Sequence, residues 1–221
     1  MHRRLSVLVG LCMILTCSWA AAQDYKYEFN GRIGYTFSEG VEVNPNDYLG
    51  SVITKISPNS GFTYGMGFDY FLSEQFSIGF NWNRQQSKLR ADVLGLEGVD
   101  FTDMSVDNYH AIFTYNFFDE GEFFRPFVFG GLGATHYGPD KVQGISISGA
   151  TKFSTTWGGG VKYYTSDHLG FKGGIRWTPT YINSNSDGIY CSPHWPWECY
   201  IVSKSNYSHQ FELSAGILVR F

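Results

Sequence analysis

The chain has few long hydrophobic runs, few cysteines and no excess of basic residues. It contains four cysteines, and beyond about residue 22 no run of eighteen apolar residues occurs, so this part offers no transmembrane helix. Acidic residues number 20 and basic residues 16, and the lack of a basic patch argues against nucleic-acid binding. Glycine (26 residues) and aromatic residues (18%) are abundant, although the mean hydropathy is −0.18. This composition is expected of a membrane β-barrel, because alternating side chains hide its apolar face from averages along the sequence.

The first 22 residues have the pattern of a secretory signal peptide, in which a basic start precedes an apolar stretch and small residues. Met1-His-Arg-Arg4 is the basic start, residues 5–19 are largely apolar, and Ala20-Ala21-Ala22 predicts cleavage before Gln23. An uncleaved anchor is the alternative, but polar sequence follows at once. Cleavage removes two of the 16 basic residues and leaves 14 against 20 acidic ones, so residues 23–221 carry a net charge of −6 and form one predicted domain.

Alternation of apolar and polar side chains predicts eight β-strands in residues 23–221. The final segment is the clearest: counting back from Phe221 in steps of two gives only apolar residues as far as Phe211, whereas most residues between them are polar or small. This period of two places successive side chains on opposite faces of a strand. The predicted strands are residues 25–37, 61–71, 76–83, 106–117, 125–136, 153–164, 169–178 and 207–221. The faces of the fifth strand are not assigned, because its sequence is rich in glycine.

The predicted connections between these strands are alternately long and short. Short turns span residues 72–75, 118–124 and 165–168, and long segments span residues 38–60, 85–105, 137–152 and 179–206. An even number of strands with short turns at one end is typical of bacterial outer-membrane barrels. The predicted fold class is therefore all-β: an eight-stranded antiparallel up-and-down transmembrane β-barrel.

A soluble eight-stranded barrel of the lipocalin kind is the competing architecture. It would place the large apolar side chains inside, around a ligand. Eight strands, however, enclose a bore that small side chains can fill and that stacked aromatic rings cannot enter. The face rich in glycine, serine, threonine and asparagine is therefore predicted to point inward. The rings are predicted to face lipid, since in water they would form a very large exposed apolar surface.

Charged residues on the predicted inward face need partners, because unpaired buried charge is strongly destabilising. Eight such residues are predicted: Glu28, Arg32, Asp69, Lys162, Lys172, Arg176, Glu212 and Arg220. The eighth strand of a closed barrel lies between the seventh and the first, so Glu212 is predicted to meet Arg176 or Arg32. These pairs are interpreted as structural, and an ion path through the bore is the functional alternative.

These features resemble the small bacterial outer-membrane β-barrel family, of the OmpA-barrel and OmpX type. The resemblance covers residues 25–221 and rests on residues 68–80 (FDYFLSEQFSIGF), 124–133 (FRPFVFGGLG), 157–164 (WGGGVKYY) and 211–221 (FELSAGILVRF). It implies a monomer in the outer membrane of a Gram-negative bacterium, in contact with lipid and lipopolysaccharide. The terminal strand also resembles the signal read by the barrel assembly machinery, carried by Leu213, Ala215, Ile217, Val219 and Phe221.

Some barrels of this size modify lipid A with a histidine and a serine near the outer rim, so each histidine is a candidate catalytic residue. His136 has no serine beside it, and His209, which follows Ser208, is predicted to face lipid. His110 is predicted to point inward alone, and His168 lies in a short turn. None of them forms a convincing triad, so no catalytic residue and no cofactor is predicted.

The fourth long connection contains the most distinctive segment, in which Cys191 and Cys199 are predicted to form a disulfide, as an even pair in an exported protein usually does. The bridge would close a small ring that holds His194, Trp195 and Trp197. A protease-resistant surface loop is the favoured interpretation, and a rigid aromatic surface that binds a partner is the alternative. A metal site formed by both cysteines and His194 is disfavoured, because the oxidising exterior favours the disulfide.

The sequence therefore predicts an integral outer-membrane barrel with a structural or surface-interaction role through its extracellular loops and without catalysis. A lipid A-modifying enzyme and a narrow porin-like channel are the two alternatives.

Overall fold

The computed structural model describes residues 25–42, 53–93, 96–118, 123–140, 149–182 and 207–221. Ten strands lie in these ranges: β1 (Tyr27–Ser38), β2 (Val41–Glu42), β3 (Ile53–Pro58), β4 (Gly61–Phe71), β5 (Phe76–Val93), β6 (Leu96–Asn116), β7 (Phe124–Pro139), β8 (Ala150–Tyr164), β9 (Leu169–Tyr181) and β10 (Tyr207–Arg220). Across the same ranges the structure contains no helix that is long and apolar enough to span a membrane. The predicted signal peptide lies outside the described residues, as does the segment with Cys191 and Cys199.

Eight of these strands form a closed antiparallel barrel, which confirms the predicted fold class. Their order is β1-β4-β5-β6-β7-β8-β9-β10, and β10 pairs with β1 to complete the circle. The other two strands, β2 and β3, extend the sheet beyond the barrel, where β3 pairs with β5. Each strand of the barrel therefore has a hydrogen-bonded neighbour on both sides.

The stagger of the strands gives the tilt of the barrel. A path through directly paired residues leaves β1 at Tyr27 and returns to it at Phe37, ten positions later. It passes through Tyr70, Ile78, Phe113, Gly130, Trp157, Trp177 and Phe211. With strands about 4.8 Å apart and a rise of about 3.3 Å per residue, this stagger tilts eight strands by about 40°. Tyr27 and Phe37 are then about 25 Å apart along the barrel axis, which is the height of the apolar band of outer-membrane barrels.

The hairpin of β5 and β6 is much longer than the sequence predicted. Nearly all of the connection expected over residues 85–105 is paired strand. Asp100 lies in it with its carboxylate oxygens 3.1 Å from Arg90 Nε and 3.6 Å from Lys88 Nζ. The prediction of a loop was wrong here because this part of the hairpin extends beyond the apolar band, where it needs no apolar face, and its polar residues hide the period of two.

Apolar side chains cover the outside of the barrel. Ile33, Ile175 and Leu213 are 60–65% exposed, and most of the aromatic residues on the predicted outward faces are also exposed. The buried side chains are mainly polar, and Asn30 and Gln85 are almost fully buried. The assignment of faces from the sequence is therefore confirmed for this barrel.

The structure also assigns the faces of β7, which the sequence left open. Arg125, Phe127 and Thr135 are buried in the bore, whereas Val128 and Leu132 are exposed on the outside. Two inward aromatic residues, Phe127 and Phe129, fit in the narrow bore because glycines lie beside them. Phe129 pairs with Gly158, where an added Cβ would lie 2.6 Å from Phe129 Cζ.

Gly158→Val should destabilise the barrel, because the new side chain overlaps both the backbone oxygen of Ile175 and the ring of Phe129. Overpacking of this kind is expected to lower the free energy of unfolding by about 1–3 kcal/mol. Denaturant titration of the refolded protein in detergent micelles, followed by the difference in gel migration between folded and unfolded chains, measures this change.

Gly31→Val is the matched control, since Gly31 faces outward on β1 and an added Cβ there has no heavy atom within 4 Å. The midpoint of its denaturant unfolding should stay close to that of the unchanged chain. Equal losses in the two variants would contradict the proposed packing of Phe129 against Gly158.

Candidate functional site

The bore near the short turns contains a fully buried ion pair. Lys162 Nζ is 2.9 Å from Glu28 Oε1 and donates a hydrogen bond of 3.0 Å to Oε2. The hydroxyl of Tyr164 donates to the same Oε2 at 2.8 Å. Because β8 and β1 are not neighbours in the sheet, these contacts cross the interior and join opposite walls of the barrel.

Two further basic residues lie close to this pair. Lys172 Nζ is 4.0 Å from Asp69 Oδ2 and 4.8 Å from the ring centre of Phe127. Arg125 donates to the backbone oxygens of Phe118 and Glu74 and so ties the bore to two short turns. The sequence analysis did not identify Arg125 because it left the faces of the fifth strand unassigned.

The last strand adds an arginine at the same end. Arg220, which was among the predicted inward charges, stacks its guanidinium group on the rings of Tyr25 and Tyr164 and donates to the backbone oxygen of Asp167. These contacts hold the end of β10 against the short turn between β8 and β9. The end of the bore with the short turns is therefore filled by aromatic rings and basic side chains.

The middle of the bore contains two arginines and one carboxylate. Arg32 Nε is 3.5 Å from Glu212 Oε1, and Asn83 Nδ2 donates to Glu212 Oε2 at 3.1 Å. Arg176 Nη1 donates to Asn83 Oδ1 at 3.0 Å, so Arg176 is connected to Glu212 through this asparagine. Asn81 Oδ1 accepts hydrogen bonds from both arginines. Of the two arginines expected near Glu212, Arg32 is the one at ion-pair distance.

An uncharged layer lies on the side of the long connections. Gln210 donates to Gln85 Oε1 at 3.0 Å, and Asn108 donates to Gln210 Oε1 at 3.2 Å. Thr135 in turn donates to Asn108 Oδ1 at 2.6 Å and is hydrogen-bonded to Ser154 at 3.0 Å. The polar face was predicted to point inward, but partners were predicted only for its charged residues, so this chain of amides and hydroxyls was missed.

A small apolar cluster closes the bore at the end with the long connections. Met104, Val106, Tyr137 and Ile182 are all at least 97% buried and pack together, with Leu89 and Ala150 against them. Met104 was predicted to lie in a loop, and its strand position explains why the cluster was not foreseen.

The outer surface carries an ion pair among its aromatic residues. Arg84 Nε and Nη2 donate to the two carboxylate oxygens of Asp107 at 2.7 and 2.9 Å, and Trp82 Nε1 donates to Asp107 at 3.3 Å. The two charged residues are paired across β5 and β6. Both carboxylate oxygens are therefore engaged by one guanidinium group.

The four candidate histidines do not assemble a catalytic triad within the described ranges. His136 Nδ1 is 2.9 Å from Thr151 Oγ1, but its cross-strand neighbour Asp107 is held by Arg84. His110 Nε2 is 2.9 Å from Ser154 Oγ inside the bore, and no hydrogen-bond partner of its Nδ1 is described.

The other two histidines lie at opposite ends of the barrel. His209 Nδ1 accepts from Trp177 Nε1 at 3.3 Å, and His168 Nδ1 is 3.1 Å from the backbone oxygen of Arg220 in a short turn. Groups of three or more side chains suited to metal binding do not occur in the part of the chain that the structure describes. The predicted loop residues His194, Trp195 and Trp197 lie outside it.

Glu28→Gln should destabilise the barrel strongly, because it leaves Lys162 charged and buried without a carboxylate. Breaking a buried pair in this way is expected to lower the free energy of unfolding by about 3 kcal/mol. Denaturant unfolding in lipid vesicles, measured by gel migration, tests this value.

Two further variants serve as controls for the buried pair. Glu28→Gln combined with Lys162→Met should recover much of the loss, since the apolar replacement lies near the rings of Phe71 and Phe127. Asp100→Asn breaks an exposed pair and should change stability by less than about 1 kcal/mol. If Asp100→Asn lowered the free energy of unfolding as much as Glu28→Gln, burial would not be the reason why the Glu28–Lys162 pair matters for stability.

Comparison with known proteins identifies similar solved structures but no sequence relatives. No protein-family model and no curated protein matches the chain. The crystal structure of Neisserial surface protein A is 17% identical over 88% of this chain and 97% of that chain, with a TM-score of 0.58. The outer-membrane protein OprG from Pseudomonas aeruginosa is 16% identical over 90% of this chain and 97% of that chain, with a TM-score of 0.56. Together with the closed sheet and the apolar exterior, these similarities show that the chain has the fold of the small outer-membrane β-barrel family.

Proposed function

We propose that this chain is an integral protein of the bacterial outer membrane with a structural or surface-interaction role and no catalytic activity. The observation that supports this proposal best is the distribution of side chains in the barrel. Apolar and aromatic residues cover its outside, whereas polar residues joined by hydrogen bonds fill its inside. Only a bilayer provides an apolar solvent on the outside of such a barrel.

The ends of the barrel suggest how it is oriented. Short turns and both ends of the barrel sequence lie at one end, which corresponds to the periplasmic side of outer-membrane barrels. The long β5–β6 hairpin and the other long connections then face the outside of the cell. Their residues are the ones available to a surface partner, and the surrounding membrane supplies lipid and lipopolysaccharide contacts.

The last strand supports insertion by the barrel assembly machinery. Leu213, Ala215, Ile217 and Phe221 are exposed on the outside of β10 and at the residue that follows it, and Val219 lies on the same face. Tyr27 N donates to Phe221 O at 3.0 Å, and Phe221 N donates to Tyr27 O at 2.9 Å, so the terminal residue closes the circle of strands. One face therefore supplies both the assembly signal and lipid contact, and a single chain closes the barrel as a monomer.

The interior argues against the channel and enzyme alternatives. Side-chain contacts cross the bore at three levels, and an apolar cluster covers the end with the long connections. Side chains that cross the bore leave less room for a solvated ion, which supports a structural role over conduction. The histidine nearest to an acidic residue on the outside, His136, lies beside an aspartate that Arg84 already engages.

Expression of the full chain in a Gram-negative host should leave the mass spectrum of its lipid A unchanged, because the histidines of the described ranges form no catalytic triad. The protein should fractionate with the outer membrane and migrate faster on gels when it is not heated. The His136→Ala variant should give the same lipid A mass spectrum and the same gel migration as the unchanged chain. A new lipid A species that disappears in His136→Ala would overturn the assignment and favour the enzyme.

A further inference from the structure

The bore contains more positive charges than negative charges. Its basic residues include Arg32, Arg125, Lys162, Lys172, Arg176 and Arg220, and its acidic residues include Glu28, Asp69 and Glu212. Basic side chains therefore outnumber carboxylates in the bore. Buried charge of one sign requires a counter-charge, since the surrounding bilayer supplies none.

Arg176 is the cross-strand neighbour of Glu212, but it is held by amide oxygens and not by a described carboxylate at ion-pair distance. Glu28 is paired with Lys162 at 2.9 Å, Glu212 with Arg32 at 3.5 Å, and Asp69 with Lys172 at 4.0 Å. Within the described ranges no carboxylate lies within 4.0 Å of the Arg176 guanidinium group, which is instead hydrogen-bonded to neutral amide oxygens of Asn81 and Asn83.

Arg176 also has an unused hydrogen-bond donor. It is only 8% exposed, and no acceptor of its Nε–H is described. Asn30, which is 1% exposed, likewise has no described acceptor for its Nδ2 amide group. Buried donors without partners are uncommon in proteins and indicate an acceptor that is not part of the protein.

A cavity of about 30 Å³ lies beside these donors. Arg32, Lys172 and Arg176 line it, together with Asn30, Asn81 and Ser214, and no carboxylate is among its lining residues. A volume of about 10–15 Å³ holds one water molecule, so this cavity has room for one small ion. The lining offers several donors and three positive charges to whatever occupies it.

We propose that the bore binds one small monovalent anion of about the size of chloride, held by Arg176, Arg32 and Asn30, with Lys172 nearby. An anion supplies a negative charge beside Arg176 and accepts hydrogen bonds from the unused donors of Arg176 and Asn30. A water molecule would satisfy these donors but would add no negative charge. A large polyatomic anion would exceed the volume of the cavity. Binding in this place stabilises the folded barrel, because the unfolded chain has no such cavity.

The test uses the full chain refolded in detergent at constant ionic strength. Sodium gluconate, whose anion is too large for the cavity, is replaced stepwise by sodium bromide, and the midpoint of thermal unfolding is followed by gel migration. The midpoint should rise and then saturate, with a total shift of about 5 °C. Lys88→Gln, which removes an exposed cation outside the bore, should keep this response, and Arg176→Gln should abolish it.

Crystals of the unchanged chain grown in bromide decide the result even where Arg176→Gln does not refold. An anomalous scattering peak beside Arg176 and Asn30 is expected. An unfolding midpoint that does not change when bromide replaces gluconate, or a cavity occupied by water in the bromide crystals, would overturn the proposal. Neither result would affect the proposed membrane location.

Discussion

Complete pairing of the backbone hydrogen-bonding groups is the constraint on which the rest of this structure depends. A strand that crosses a bilayer cannot leave its backbone groups unpaired, because lipid offers them no partner. The chain meets this requirement by closing eight strands with a stagger of ten residues, and the paired backbones of Tyr27 and Phe221 join the first strand to the last. The distribution of side chains follows from this closure, since each strand has one face toward lipid and one toward the bore.

A narrow closed bore imposes its own requirements on the residues inside it. Glycines such as Gly158 give room for the few large rings, and polar residues must find partners across the interior. The bore meets the second requirement in layers: ion pairs near the short turns, arginines and amides in the middle, uncharged amides and hydroxyls above, and an apolar cluster at the far end. Arg176 Nε and Asn30 Nδ2 are among the buried groups for which the described residues supply no partner, and an anion would supply one.

The fold was largely predictable because alternation in the sequence is strong wherever one face meets lipid, as in β1 and β10. Prediction failed where that contact ends: the outer part of the β5–β6 hairpin lacks a regular alternation of apolar and polar residues, so its strands could not be distinguished from a loop. The charged bore residues could be identified by face and type, but the partner of Glu212 depends on side-chain reach across the bore, which strand order alone does not give. Arg125 was missed because β7 is too rich in glycine to reveal its faces, whereas the apolar cluster was missed because Met104, Tyr137 and Ile182 were predicted to lie in connections.

The orientation of the aromatic rings is the central claim, and the fluorescence of Trp157 tests it most directly. Trp157 is 52% exposed on the outside of β8. A variant that keeps it as the sole tryptophan, with the others replaced by phenylalanine, can be refolded into vesicles whose lipid chains carry bromine. The account predicts strong quenching of its emission by the brominated lipid and little quenching by acrylamide in the aqueous phase. Emission that acrylamide quenches and brominated lipid leaves unchanged would contradict the account.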